Sequence, residues 1–90
     1  MTNEEKVEEI LNNFDFTQVM DIIREFPKLY YFKIPEMSEL EDKARKVLTD
    51  VLNNTKGDKM DVESYDCGFK AHRNKSYLEL SYCVTSYYLE

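Results

Sequence analysis

The chain has 90 residues and a formal net charge of −6, with 18 acidic side chains against 12 basic ones. That length bounds it to one domain with a modest core. The acidic balance argues against nonspecific attachment to nucleic acid or to an anionic membrane surface, both of which need clustered Lys and Arg. With only two Gly, two Pro and 42% hydrophobic residues, the composition excludes a low-complexity chain.

No apolar run nears the roughly 20 residues of a membrane helix. The acidic, polar N-terminus lacks the basic and apolar regions of a secretory leader.

From the N-terminus, residues 3–13 predict a helix. Thr2 followed by Glu5 has the spacing of a capping box. Val7, Ile10, Leu11 and Phe14 recur at i, i+3, i+4, i+7, one apolar stripe. Glu4, Glu5, Glu8 and Glu9 crowd its first turns, where the helix dipole favours negative charge. Asp15 can cap a second helical segment, 16–26, lined by Val19, Met20, Ile23 and Phe26 and ended by Pro27. The pattern leaves open whether these are two helices or one bent one. Residues 29–33, aromatic and bounded by prolines, read as an edge strand or as a connector over the core.

Residues 37–53 carry the clearest helical pattern. Leu40, Ala44, Val47, Leu48, Val51 and Leu52 form a wide stripe opposite Glu39, Asp42, Lys43, Arg45 and Lys46. Ser38 and Glu41 match a capping box, while Pro35 also allows a start at Glu36. Glu39–Lys43 and Glu41–Arg45 are spaced for i, i+4 ion pairs.

The C-terminal third reads as one β-hairpin, about 61–72 and 76–88. Tyr65, Cys67, Phe69 and Ala71 alternate with polar residues, as do Leu78, Leu80, Tyr82 and Val84. A turn centred on Asn74-Lys75 would face Ala71 with Leu78, Phe69 with Leu80, Cys67 with Tyr82 and Tyr65 with Val84, every pair inward. Met60 and Val62 keep the alternation on the opposite parity, so a bulge near Glu63-Ser64 is expected. The fold class that follows is α+β: two or three helices on one face of an antiparallel sheet of two or three strands. Leu89-Glu90 is compatible with a vector-derived remnant, which would end the native chain near Tyr88.

Reactive groups are sparse. His72 is the lone histidine, and the expected strand puts it about 20 Å from Asp66, so a Cys83–His72–Asp66 constellation does not converge. No CxxC, HExxH, Walker or GxGxxG motif occurs. Asp58, Asp61, Glu63 and Asp66 lack calcium-loop spacing and read as a solvated approach to the strand. No catalytic residue, metal or cofactor is therefore expected. With Cys67 inward and Cys83 outward a disulfide is geometrically poor, and two thiols fit a reducing cytoplasm.

The outer face of the hairpin is the better candidate, with Asp66, Lys70, His72, Tyr77, Glu79, Ser81, Cys83 and Tyr87 projecting from it. Tyrosines give large contact area at small entropic cost, although β-propensity alone would also place them there. The second candidate is the acidic row Glu4, Glu5, Glu8 and Glu9, which could imitate nucleic-acid phosphates; dipole compensation and solubility also account for it.

Three patches carry a resemblance. Asn13-Phe-Asp-Phe-Thr-Gln-Val19 resembles an "NFDF-x-x-V" helix start, and Ile34-Pro-Glu-Met-Ser-Glu-Leu40 a "VPTxEEL" lead into the main helix. Cys67-Gly-Phe-Lys-Ala71 with Leu78-Glu-Leu80 resembles a "GGFxA…LxL" hairpin. Together they are similar to small proteins encoded in bacteriophage and prophage genomes. Cys67 departs from the first glycine, and Tyr30-Tyr31-Phe32 stands where a tryptophan-rich stretch belongs. The resemblance implies an α+β fold and a phage context, with no activity attached. The expected function is a small accessory protein of the host cytoplasm that binds a protein, host and defence proteins included. The alternative is a homo-oligomer sequestering a small ligand, with an enzyme third.

Overall fold

Thr2 and Glu5 close the expected capping box at the start of α1 (Asn3–Asn13) in the computed structural model, which describes residues 1–26, 33–54 and 61–89. Thr2 Oγ1 accepts from the Glu5 amide at 3.1 Å, and Glu5 Oε1 accepts from the Thr2 amide at 3.2 Å. Two of the four orphan amide groups of the helix end are thereby satisfied. Val7, Ile10 and Leu11 are buried along its stripe.

The chain then breaks. Phe14 leaves the helix with ψ 139°, and the Asp15 carboxylate accepts from the Gln18 amide at 3.0 Å to open α2 (Phe16–Glu25). The two segments are separate helices, because Asp15 caps a new start. α2 buries Phe16, Val19, Met20 and Ile23. α3 (Met37–Asn53) begins two residues earlier than a Ser38 cap would allow. Its N-cap is Glu36, whose carbonyl accepts from the Glu39 and Leu40 amides, and no side chain caps it. Pro35 sits just ahead of the cap, and Ser38 lies inside the first turn. The stripe Leu40, Ala44, Val47, Leu48, Val51 and Leu52 is buried throughout.

The sheet differs from the expected hairpin in its count of strands. Four antiparallel strands run in the order β1 (Asp61–Asp66), β2 (Phe69–Asn74), β3 (Leu78–Tyr82) and β4 (Thr85–Leu89). Each expected long strand is folded back on itself by a two-residue turn. At the first, Cys67 and Gly68 have φ of 48° and 91°. Both values are positive, as in the type I′ turn that matches strand twist. At the second, Cys83 alone has positive φ, 51°, the pattern of type II′. The phase change upstream of Phe69 is thus a chain reversal, and no bulge interrupts the β1–β2 ladder. The strand expected at 29–33 falls, apart from Lys33, outside the described residues, and Lys33 is in neither helix nor strand.

The central register is also displaced by two residues. Phe69 faces Tyr82, Ala71 faces Leu80 and Arg73 faces Leu78. The cause is local. The Asn74 carboxamide accepts from the Ser76 and Tyr77 amides at 2.8 and 3.0 Å, so Asn74 braces the turn as an Asx residue and the reversal centres on Lys75-Ser76. A shift of two keeps parity. Phe69, Ala71, Leu78, Leu80 and Tyr82 therefore remain inward and buried. Tyr65 and Val84, expected to pair inward, are instead 67% and 80% exposed, and Cys67 is exposed in its turn.

All three helices take part in covering the inward face. α3 lies across β1 and β2, α1 packs on α3 and β4, and α2 packs on α3. An aromatic cluster sits where the helices meet the sheet. Phe69 is 5.0 Å from Tyr82 and 6.0–6.1 Å from Phe16 and Phe14, centroid to centroid. Each such buried side chain contributes about 1.5–3 kcal/mol by removal from water. Arg45 bridges α3 to Glu8 of α1 at 2.9 Å and contacts Asp42, so the expected Glu41–Arg45 pair gives way to a link between helices. Leu89 pairs with Leu78 and packs against the core, so it is part of the sheet.

The two turns make opposite demands. A Cβ on Gly68 would lie 2.5 Å from Tyr82 Cε1 while φ stays at 91°. Gly68→Ala should cost about 2–3 kcal/mol, from positive-φ strain plus the clash. Cys83→Gly should instead be neutral or gain up to about 1 kcal/mol, since glycine relieves the φ of 51° there. Urea midpoints of the two variants should move in opposite directions; parallel losses would contradict the turn assignment.

Candidate functional site

The outer face of the sheet is built by the same turns. Because each two-residue turn reverses parity, odd residues of β1 share that face with even residues of β2, odd residues of β3 and even residues of β4. Asp61, Glu63, Tyr65, Lys70, His72, Glu79, Ser81, Ser86 and Tyr88 occupy it, with Tyr77 reaching in from the turn before β3. No described helix packs on this side.

Five expected residues lie on this face: Lys70, His72, Tyr77, Glu79 and Ser81. Three do not. Asp66 is on the helix-covered side, where its carboxylate meets Lys46 Nζ of α3 at 3.4 Å. Cys83 is in the β3–β4 turn, and Tyr87 points inward, half-buried against the core. All three misplacements come from treating two strands as one. Asp61, Glu63, Tyr65 and Tyr88 take their place. For Asp61, Glu63 and Tyr65 the signal is Cys67-Gly68, a glycine-containing pair flanked by apolar alternation, as in a two-residue hairpin turn; the turn that brings out Tyr88, at Cys83-Val84, carries no glycine.

The face is stitched by a chain of polar and ring contacts. Tyr65 Oη donates to Glu63 Oε2 at 2.6 Å, and Lys70 Nζ reaches Glu63 Oε1 at 3.5 Å. Lys70 also lies 6.0 Å from the centroid of the Tyr65 ring. The phenol hydrogen bond, aided by the Lys70 charge, holds the Glu63 carboxyl below the usual carboxylate range. The same bond raises the Tyr65 phenol, and the Glu63 charge raises the Lys70 ammonium. On the other flank His72 Nε2 contacts Asp61 Oδ1, and the Tyr77 hydroxyl sits 3.3 Å from His72 Nδ1. The rings of His72, Tyr77 and Tyr88 follow edge to face at 5.6 and 5.5 Å. A hydrogen bond to the Glu79 carboxylate raises the Tyr88 phenol.

Two consequences concern chemistry. Asp66 and His72 face opposite sides of the sheet and Cys83 lies in a turn, so these three do not converge. By contrast Asp61, Glu63 and His72 bring one donor atom each to within 4.8 Å of one another. The acidic row of α1 is partly committed to structure: Glu5 closes the capping box and Glu8 holds Arg45. A carboxyl that caps its own helix also titrates low, from the Thr2 backbone bond first.

No protein-family model, curated protein or solved structure matches the chain.

Asp66 offers a test of which side it faces. Its carboxyl is lowered by a hydrogen bond from Cys67, with further help from Lys46. A depressed folded value means that the unfolded chain takes up this proton first. Its stabilisation is therefore complete above the ordinary Asp range, near 4, and is lost as pH falls through the lower folded value. Asp66→Asn should cost up to about 1 kcal/mol at pH 7, a modest amount because Lys46 is largely exposed. The cost should shrink steadily as pH falls below the ordinary Asp range, a trend read from urea melts at descending pH.

Proposed function

We propose that the protein acts by binding a protein partner through the outer face of its sheet. The observation that carries this reading is the pair of tyrosines, Tyr65 and Tyr88, that remain 67% and 55% exposed at opposite edges of a face no described helix covers. Tyr77 is in ring contact with Tyr88. Tyrosine supplies contact area with few torsions to freeze and is enriched at interfaces.

The charge on the face suggests the partner's chemistry. Asp61, Glu63 and Glu79 stand against Lys70, within a chain of net charge −6. A surface bearing arginines fits this pattern, since guanidinium groups pair with carboxylates and stack on phenol rings. Duplex or single-stranded nucleic acid does not fit, because its phosphates would meet like charge. No described helix is long and apolar enough to cross a membrane. The resemblance to phage and prophage proteins is what suggests a bacterial host or defence protein as the partner, in the host cytoplasm.

Self-association is favoured by one observation. β4 is an edge strand, and Thr85–Leu89 carries no charged residue to discourage pairing with another strand. Light scattering separates the two readings: a species near 10.8 kDa at high concentration removes the homo-oligomer.

The main test compares captures from bacterial lysate by the wild type and by Tyr65→Ser/Tyr88→Ser. The wild type should retain a partner whose affinity falls with added salt. The double variant should weaken that affinity about 100-fold, on the order of tenfold for each interfacial tyrosine. Undiminished retention of the same partner by the double variant would remove the outer face from the proposal.

A further inference from the structure

We infer that Asp61, Glu63 and His72 form a binding site for a divalent first-row transition-metal ion, with zinc the ion to expect. The inference stands apart from the partner, since ion binding is measured on the isolated chain.

Strand geometry brings the donors together. Glu63 and His72 are directly opposed across the β1–β2 ladder, and Asp61 lies two residues before Glu63 on the same face. One donor atom from each lies within 4.8 Å of the other two. Tetrahedral zinc with bonds of about 2.0–2.2 Å spaces its ligand atoms at roughly 3.3–3.6 Å. Small side-chain rotations therefore close the triad, and the strands need not move. Among the described residues this is the cluster of three such donors that comes so close.

The donor set selects the ion. One imidazole and two carboxylates are borderline ligands that suit zinc and its neighbours, whereas calcium and magnesium take oxygen shells of six or more. Three protein ligands also leave a coordination position open.

The surroundings of the histidine supply what a ligand imidazole requires. His72 is 15% exposed in its side chain, with Nε2 turned to Asp61 and Nδ1 to the Tyr77 hydroxyl. A phenol can accept as well as donate. When Nε2 binds the ion, the ring proton resides on Nδ1 and donates to Tyr77 Oη, which holds the tautomer and the ring plane. Lys70 opposes the site, because its ammonium competes for Glu63 and repels a cation. Tyr65 competes for the same carboxylate through its hydroxyl.

The test uses the full chain with Cys67→Ser and Cys83→Ser, so that thiols contribute nothing, and titrates zinc against a chelating dye. One ion per chain should bind saturably, with calcium and magnesium unable to compete. His72→Ala should weaken binding at least tenfold, and Tyr77→Phe about tenfold through the lost orienting bond. Lys70→Ala should tighten it about threefold, as expected for removing one nearby positive charge in a solvated setting. Far-ultraviolet circular dichroism checks that each variant is folded. His72 is the single histidine, so a long-range proton–nitrogen NMR spectrum reports it alone. Zinc should shift Nε2 and leave Nδ1 protonated. Absence of saturable binding, equal affinity in His72→Ala, or a histidine spectrum indifferent to zinc would each overturn the site.

Discussion

The two residues Cys67 and Gly68 decide which side of the sheet every residue of β1 faces. Their positive φ values reverse the chain in the tightest way that strand twist allows. In so tight a reversal Asp66 and Phe69 become partners, and an even residue comes to share a face with an odd one. Val62, Ser64 and Asp66 are thereby turned to α3, and Asp61, Glu63 and Tyr65 are turned out beside Lys70 and His72. Gly68 has a second duty, since the Tyr82 ring occupies the space that a side chain there would fill. That ring is buried against Phe69 at the centre of the aromatic cluster. Burial also raises its phenol, which keeps the group neutral where a charge would be costly. The turn and the core are thus one constraint.

How much of this was legible follows from the range of the signals. The helices were legible to within a residue because their evidence is local: a 3.6-residue stripe, the Thr2–Glu5 box, the Asp15 cap and Pro27. Alternation in the sheet was legible only as parity. Tyr65, Cys67, Phe69 and Ala71 form a faultless period of two in the sequence, yet the chain reverses between the second and third. Period alone cannot tell one long strand from two strands joined by a two-residue turn. The glycine at 68 held the missing information, and an interrupting glycine in a strand pattern is itself a warning. Likewise Asn74 was legible as a turn residue, while its role as an Asx acceptor, which moves the register by two, was not.

The same reversals of the chain shape the candidate site. Residues of β2 and β3 keep the outer face expected of them because parity survives a two-residue slip. Beyond a turn the expected parity inverts: Asp66 and Tyr87 face inward, and Glu63 and Tyr88 face out. His72 gained its neighbours from this inversion. On a single long strand it stands alone beside a turn. In the folded meander it faces Glu63 across the ladder, with Asp61 and Tyr77 on its two ring nitrogens.

An outer face so organised differs from a merely solvated one. Solvation asks only that polar groups reach water, which surface rotamers do independently at little cost. Here the contacts run from Asp61 through His72 and Tyr77 to Tyr88 and Glu79, spanning all four strands. Each member is carried by a ladder or by the braced turn at Asn74, so ring positions are set by backbone register and not by loose side-chain preference. Groups held in this way lose less freedom when something binds them, which is the physical advantage of building a site on strands. The described helices pack on the opposite face, where Phe69, Ala71, Leu78, Leu80 and Tyr82 are buried. The division of labour is sharp: one side of the sheet supplies the stability that lets the other keep tyrosines, carboxylates and a histidine in fixed relation at the surface.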